Sequence, residues 1–234
     1  MRLAALCDIH GNLPALEAVV PELDADIIVI GGDVASGPFP LETLEVLRSL
    51  PVPVRYVRGN ADRVLDLEGI PEPNRSARLW VAERLGDENL RFLRGLPLDL
   101  VVDGIHFCHG APGSDTAPMT RYTTEERLRV LLFAARERIV VCGHTHVQFD
   151  RSLDAVRVLN AGSVGAPYEV EPGAYWLELE DCEPRLRRTE YDVEEAARRI
   201  RASGYPNLAH VDGMLRSDPS RPERMSKLIE ADFS

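Results

Sequence analysis

Short apolar runs alternate with stretches of helical periodicity through the first sixty residues. Leu3 to Cys7 reads as a strand, Leu13 to Leu23 carries apolar residues at helical spacing, and Ile27 to Ile30 forms a second strand. A helical stretch from Leu41 to Leu50 and a strand from Val54 to Val57 complete the order β-α-β-α-β, which predicts parallel strands joined by right-handed crossovers. Residues 61 to 97 read as mainly helical, with Trp80, Leu85, Leu90 and Leu93 as core contacts.

From Leu98 onward the strands crowd together and predict a second sheet. Leu98 to Val102, Ile105 to Cys108, Ile139 to Cys142, Val156 to Leu159 and Tyr175 to Leu179 are each bounded by Gly, Pro, Asp or Asn. A helix from Thr124 to Glu137 interrupts them, with Thr123 or Thr124 as N-cap and Leu128, Leu131, Leu132 and Ala135 on one face. A short helix follows from Val193 to Ala202. The pattern makes residues 1–211 a single α/β domain, and the end from Asp212 to Ser234, with little apolar content, is expected as a helical or poorly ordered tail.

Composition narrows the function. The 234 residues include 44% hydrophobic residues, enough for one well-buried core, and the net charge of −11 argues against a nucleic-acid-tracking surface. Cys7, Cys108 and Cys142 sit in or at the ends of apolar runs and, like Cys182, have no paired spacing, so reduced core thiols are expected. The opening residues reach Asp8 too soon for a signal-peptide core, and no apolar run approaches the roughly 20 residues that span a bilayer. A cytoplasmic protein without membrane or nucleic-acid partners is the expectation.

Five segments place metal-capable side chains just after apolar strands: Asp8-Ile9-His10-Gly11-Asn12, Gly31-Gly32-Asp33, Arg58-Gly59-Asn60, Cys108-His109-Gly110 and Gly143-His144-Thr145-His146. They hold four of the six histidines. Mixed oxygen and nitrogen donors suit Mn, Fe, Zn, Co or Ni better than Mg or Ca alone. Asp8 with His10, or His144 with His146, can present two donors from one extended strand end. Two cations about 3.5–4 Å apart need a shared anionic ligand, and Asp33 is the choice for it.

These blocks resemble the calcineurin-like metallophosphoesterases, whose pattern is D-x-H, G-D, G-N-H-[DE], H-G and G-H-x-H in that order. The resemblance implies a four-layer αββα sandwich of two mixed sheets flanked by helices. It also implies two divalent metal ions, manganese first. One would sit on Asp8, His10, Asp33 and His146, the other on Asp33, Asn60, His109 and His144. The later Asn160-Ala161-Gly162-Ser163-Val164-Gly165 is similar to the N-P-G-S-x-G loop of small bacterial members, with Ala161 in place of Pro. The Asp-Ile-His-Gly-Asn and Arg-Gly-Asn forms look closest to the branch of diadenosine tetraphosphatases and small bacterial phosphodiesterases.

One block departs from the pattern. Gly59-Asn60-Ala61-Asp62 lacks the His that the resemblance makes the proton donor to the leaving group. General acid catalysis contributes about 10²–10⁴-fold, so its loss should hurt alkoxide leaving groups more than phenolates or phosphoanhydrides.

The expected function is therefore hydrolysis of a phosphodiester or nucleotide phosphoanhydride, with a metal-bridging water as nucleophile and a phosphorylated small molecule as partner. Asp33, Asn60 and Arg58 form the expected catalytic set, Arg58 by contact with phosphoryl oxygens. The alternatives are a serine/threonine phosphatase-like phosphomonoesterase and a non-catalytic metal-binding scaffold of the same fold. Substrate, native metal and oligomeric state stay open. Among the remaining residues, His106 reads as packed on the opposite face from His109, His210 as exposed, and Asn12 as ordinary turn chemistry. Phe39, Tyr168, Arg121 and Tyr122 lie in loops able to reach a substrate and are left outside the expected site.

Overall fold

The computed structural model describes residues 1–209 and 217–233; His210 lies outside them. In the first sheet β1 (Arg2–Leu6), β2 (Ile27–Ile30) and β3 (Val54–Tyr56) run parallel, joined through α1 (Leu13–Val19) and α2 (Pro40–Ser49). α3 (Asn74–Arg94) then leads to the second sheet, formed by β4 (Asp99–Val102), β5 (Ile105–Cys108), β6 (Ile139–Cys142), β7 (Phe149–Leu153) and β8 (Val156–Asn160). Its order is β4-β5-β6-β8-β7, with β5, β6 and β8 parallel and both edge strands antiparallel. The chain returns to the first sheet as β9 (Ala174–Glu180) and β10 (Glu183–Thr189), giving the order β10-β9-β1-β2-β3.

Side-chain alternation separates the layers. Leu3, Ala5 and Cys7 point between the sheets and meet Ile105, Phe107, Val141 and Leu159. Ala4 and Leu6 point the other way, into a core with Leu16 and Val19, Leu44 and Leu47, and Val81 and Leu85 from the three helices. Both faces of β1 are therefore buried, which is why it reads as an unbroken apolar run. On the far side, Val140, Cys142 and Val158 meet Leu128 of α4 (Glu125–Leu131) and the adjoining Leu132. The result is the helix, sheet, sheet, helix stack of the expected four-layer α/β sandwich. Among the described residues, no helix is long and apolar enough to cross a membrane.

Several elements end earlier than their periodicity suggests. α1 stops at Val19 and passes into a 3₁₀ turn over Val20–Glu22, because Pro21 has no amide hydrogen for the helix ladder. The stretch expected to be helical from residue 61 begins its long helix only at Asn74. Pro71 and Pro73 disfavour helical geometry before them, and α3 breaks again at Gly86, whose φ is 67°. In the helix expected over 124–137, α4 ends at Leu131 and a single 3₁₀ turn follows to Ala134. Phe133 is 90% exposed there, so no burial holds a further turn.

Two edge strands went unforeseen. β10, with the sequence Glu-Pro-Arg-Leu-Arg-Arg-Thr, is largely solvent-facing, and β7, with Phe-Asp-Arg-Ser-Leu, buries only Phe149 and Leu153 at its ends, so both lack the apolar runs that mark the interior strands. The described part of the tail forms a helix, numbered α6 (Arg221–Asp232), after α5 (Val193–Ala202). Its Glu230 accepts hydrogen bonds from the hydroxyls of Thr120 (2.7 Å) and Thr123 and from Nη1 of Arg127 (3.0 Å), so polar contacts dock a segment whose apolar content predicted no docking. The four cysteines are unpaired, with Cys7, Cys108 and Cys142 buried and Cys182 exposed.

Candidate metal centre

The loops after β1, β2, β3, β5 and β6 carry the expected donors, and parallel strands deliver these loops to one edge. Pairing continues beyond the strands: the amides of Asp8 and His10 donate to the carbonyls of Gly32 (3.1 Å) and Asp33 (2.8 Å), and that of Gly143 donates to His109 (2.9 Å). Asp8, His10, Asp33, His144 and His146 all take positive φ, between 48° and 66°. Left-handed backbone costs a non-glycine residue free energy, and such residues cluster at functional sites. Gly59 makes the crowding possible, since a β-carbon there would lie 2.1 Å from Oδ1 of Asp33.

Six of the seven expected ligands are brought into direct contact. Oδ1 of Asp8 lies 3.1 Å from Nε2 of His146, 3.8 Å from that of His10 and 3.9 Å from that of His109. Oδ2 of Asp33 lies 3.6 Å from Nε2 of His10 and 3.5 Å from that of His109, so one carboxylate oxygen faces both halves of the cluster. Oδ1 of Asn60 is 3.2 Å from Nε2 of His109. His144 stands one ring away, its centroid 4.9 Å from that of His109.

Carbonyls outside the cluster fix which ring nitrogen points in. Nδ1 of His109 donates to Gly31 (2.8 Å) and Nδ1 of His146 to Ala166 (2.6 Å), leaving lone pairs on the inward Nε2 atoms. His144 does the reverse: Nε2 donates to Thr116 (3.1 Å), leaving the lone pair on Nδ1. Inward lone pairs therefore face inward carboxylates. Oδ1 of Asp8 is buried with no hydrogen bond to it, although Nε2 of His146 lies 3.1 Å away. A buried anionic oxygen without a donor is costly unless a cation meets it, so this set fits divalent metal.

The buried charges of the cluster act on one another. Burial pushes the Asp8 carboxyl up, but the His146, His109 and His10 imidazoles outweigh it and hold it below the ordinary carboxylate range. Burial lowers His10, and with the neighbouring His109 it lowers His144 to about 4. For His109 and His146 burial is outweighed by Asp33 and Asp8, and both are raised.

A network of loop hydrogen bonds surrounds the cluster. Asp62 accepts the amides of Asp33 (2.9 Å), Val34 (2.9 Å) and Gly59 (2.8 Å). Ser163 donates its hydroxyl to the Asp8 carbonyl (2.8 Å), and Asn160 donates its amide to the Gly143 carbonyl (2.6 Å), so the Asn160–Gly165 loop braces both ends of the cluster. Asn12 caps α1 through Ala15 and donates to the Gly165 carbonyl (2.8 Å), a turn role that also ties two loops. The surrounding contacts were invisible because carbonyls carry no sequence signature.

Arg58 is turned elsewhere: its Nε meets Asp115 at 3.2 Å and its Nη1 the Arg94 carbonyl at 3.3 Å. Phe39 packs on Ala197 and Ile200. Arg121 donates to the Gln148 carbonyl (2.9 Å), and the ring of Tyr122 receives Lys227 at 5.6 Å. Tyr168 does reach the cluster, its ring stacked on His146 with centroids 4.9 Å apart. His106 is buried on β5, between Asp99 and Glu137.

Open space flanks the donors on two sides. A cavity of about 340 Å³ lies against His10 and His146 and is lined by Ala61, Ser36, Arg78 and Tyr205, so the position without a histidine opens into a pocket. A second, of about 420 Å³, lies against Asn60 and His144 and is lined on its far side by α6. Tyr168 lines both.

Comparison with known proteins agrees with this geometry. Residues 1–181 match the model of the calcineurin-like phosphoesterase superfamily domain. The uncharacterized protein MJ0912 of Methanocaldococcus jannaschii is 29% identical over 228 residues, covering 85% of this chain and 91% of its own. The metallophosphoesterase of Sphaerobacter thermophilus superposes with a TM-score of 0.76 at 25% identity, covering 91% of this chain and 99% of that one. The hypothetical protein PH1004 of Pyrococcus horikoshii shares the fold, with a TM-score of 0.81 at 21% identity over 92% and 98% of the two chains. The chain belongs to the calcineurin-like phosphoesterase superfamily and is a phosphoesterase.

Proposed function

We propose that this phosphoesterase uses two divalent metal ions, manganese before iron, zinc, cobalt or nickel, to hydrolyse phosphodiesters or nucleotide phosphoanhydrides. The observation that carries this reading is the pair of cavities, one on each side of the donor cluster, which gives a phosphorus held at the centre room for an organic group in both directions. A monoester needs only one.

In this reading Asp8, His10, Asp33 and His146 hold one ion, and Asp33, Asn60, His109 and His144 the other. When bound, the ions supply a water acidified toward neutral pH and positive charge for the phosphoryl oxygens. Asp33 serves both ions, supported by its oxygen placed between His10 and His109. Asn60, beside His109, orients substrate as well as holding metal. Arg58 can act on the phosphoryl group only by turning from Asp115. Ala61 supplies no proton, which favours substrates whose leaving groups need none. The buried, unpaired thiols agree with a place in the cytoplasm.

The test is hydrolysis of bis(p-nitrophenyl) phosphate and dinucleoside polyphosphates by manganese-loaded protein. Turnover is expected, and both chelator and Asp33→Asn should abolish it. Release of p-nitrophenol from p-nitrophenyl phosphate alone, with the diester and the phosphoanhydrides untouched, would replace this reading with the phosphomonoesterase one.

A further inference from the structure

The two cavities beside the donor cluster differ in chemistry. On the His10 side Ser36, Asn74 and Arg78 supply polar groups, and carbonyls of Arg63 and Asp66, each at 3.1 Å, fix the Arg78 guanidinium. On the His144 side α6 presents Met225, Leu228 and Ile229, and Phe233 follows at its C-cap. Leu228 is 53% exposed and Phe233 50% exposed, so these are apolar side chains facing open space rather than core. Asp232 and the negative end of the helix dipole border the same cavity. The helix is held in place there by Glu230, whose partners Thr120 and Thr123 are both buried.

We propose that the α6 cavity is a subsite for a neutral planar ring carried by the substrate phosphate, and that the polar or anionic end of the substrate lies toward Arg78. The proposal deepens the diester reading and rests on it for the existence of a second organic group. Apolar side chains that already stand in water gain by covering a ring, whereas Asp232 and the helix end disfavour a second phosphate or a carboxylate in the same place. Tyr168, stacked on His146 and shared by both cavities, divides the two ends of the substrate. The substrate is thereby bound in one direction across the centre.

The test compares the binding of methylphosphonate, phenylphosphonate and 4-carboxyphenylphosphonate to manganese-loaded protein by calorimetry, alongside turnover of bis(p-nitrophenyl) phosphate. Phenylphosphonate is expected to bind about tenfold more tightly than methylphosphonate, as burial of one ring allows, and the added carboxylate should cancel that gain. Leu228→Glu should bring phenylphosphonate down to the level of methylphosphonate, and Phe233→Glu, also half-exposed, should act in the same direction. Equal affinities in the wild-type protein, a ring preference that survives both variants, or no phosphonate binding would overturn the subsite. If the ring preference appears but no diester is hydrolysed, the subsite stands and the diesterase reading falls. Diester turnover without the preference gives the converse.

Discussion

The carboxylate of Asp62 accepts the backbone amide of Asp33 at 2.9 Å, and through its further bonds to Val34 and Gly59 it clamps the loops that carry the expected bridging residue and Asn60. Asp62 is 1% exposed, and burial together with the Asp33 charge pushes its pKa up to about 7. Its two oxygens thus serve three backbone amides.

Asp62→Asn keeps the shape but sets an amide donor against one or more of these N–H groups. The expected cost is about 1–3 kcal/mol, because a buried amide is left unsatisfied. Urea unfolding would read it, and metal content after dialysis should fall in parallel. A variant with unchanged stability and full metal content would show that the clamp is dispensable.

Ala61→His places an imidazole at the mouth of the cavity beside His10 and His146. The expected result is an increase of about tenfold or more in the rate for diesters with alkyl leaving groups, and little change for p-nitrophenolate, whose departure needs no proton. Equal effects on both classes of leaving group would mean that the ring acts by filling space.

His106 faces Asp99 at 3.0 Å and Glu137 at 3.2 Å, one through each ring nitrogen, and only imidazolium can donate to both. The bond to Asp99 raises its pKa above the ordinary 6.5, burial opposes, and Glu137 adds to the rise. A raised value in the folded state means that the contribution to stability is complete below 6.5 and disappears as pH climbs through the folded value. The stability difference between wild type and His106→Gln should therefore shrink as pH rises, measured by urea unfolding across that range. A difference independent of pH would rule out a charged His106.

Glu230→Ala removes the acceptor of two buried hydroxyls and the partner of Arg127. Limited proteolysis within 217–233 should accelerate, while the α/β core keeps its global unfolding midpoint within experimental error. Cleavage at the wild-type rate would show that other contacts of α6 suffice.

Legibility followed burial. β1, β2, β5 and β6 were readable because both faces are covered and their runs are apolar; β7 and β10 were not, because charged and polar residues break their sequences, Phe-Asp-Arg-Ser-Leu and Glu-Pro-Arg-Leu-Arg-Arg-Thr, whereas the edge strands β3 and β4 keep apolar residues. Asp8, His10, Asp33, Asn60, His109, His144 and His146 could be picked out as a candidate set, since each follows a strand and the order of blocks is distinctive, and the structure brings six of their side chains into contact. Arg58 shows the limit: its position beside Asn60 in sequence does not fix the direction of a long side chain, and Asp115, far along the chain, captures it. The role of α6 was hidden for a similar reason, since one carboxylate and two hydroxyls dock it where an apolar stripe was sought.

The order of strands in the first sheet has a consequence for synthesis. The loop after β1 holds the first candidate ligands, Asp8 and His10, yet the neighbouring strand β9 spans Ala174–Glu180, and the carbonyls of Cys7 and Asp8 are met by the amides of Val164 and Gly165. A nascent chain lacking those later segments leaves the Asp8 loop half supported, so this loop reaches its final form only after the residues through Glu180 have been made, well after β1 itself.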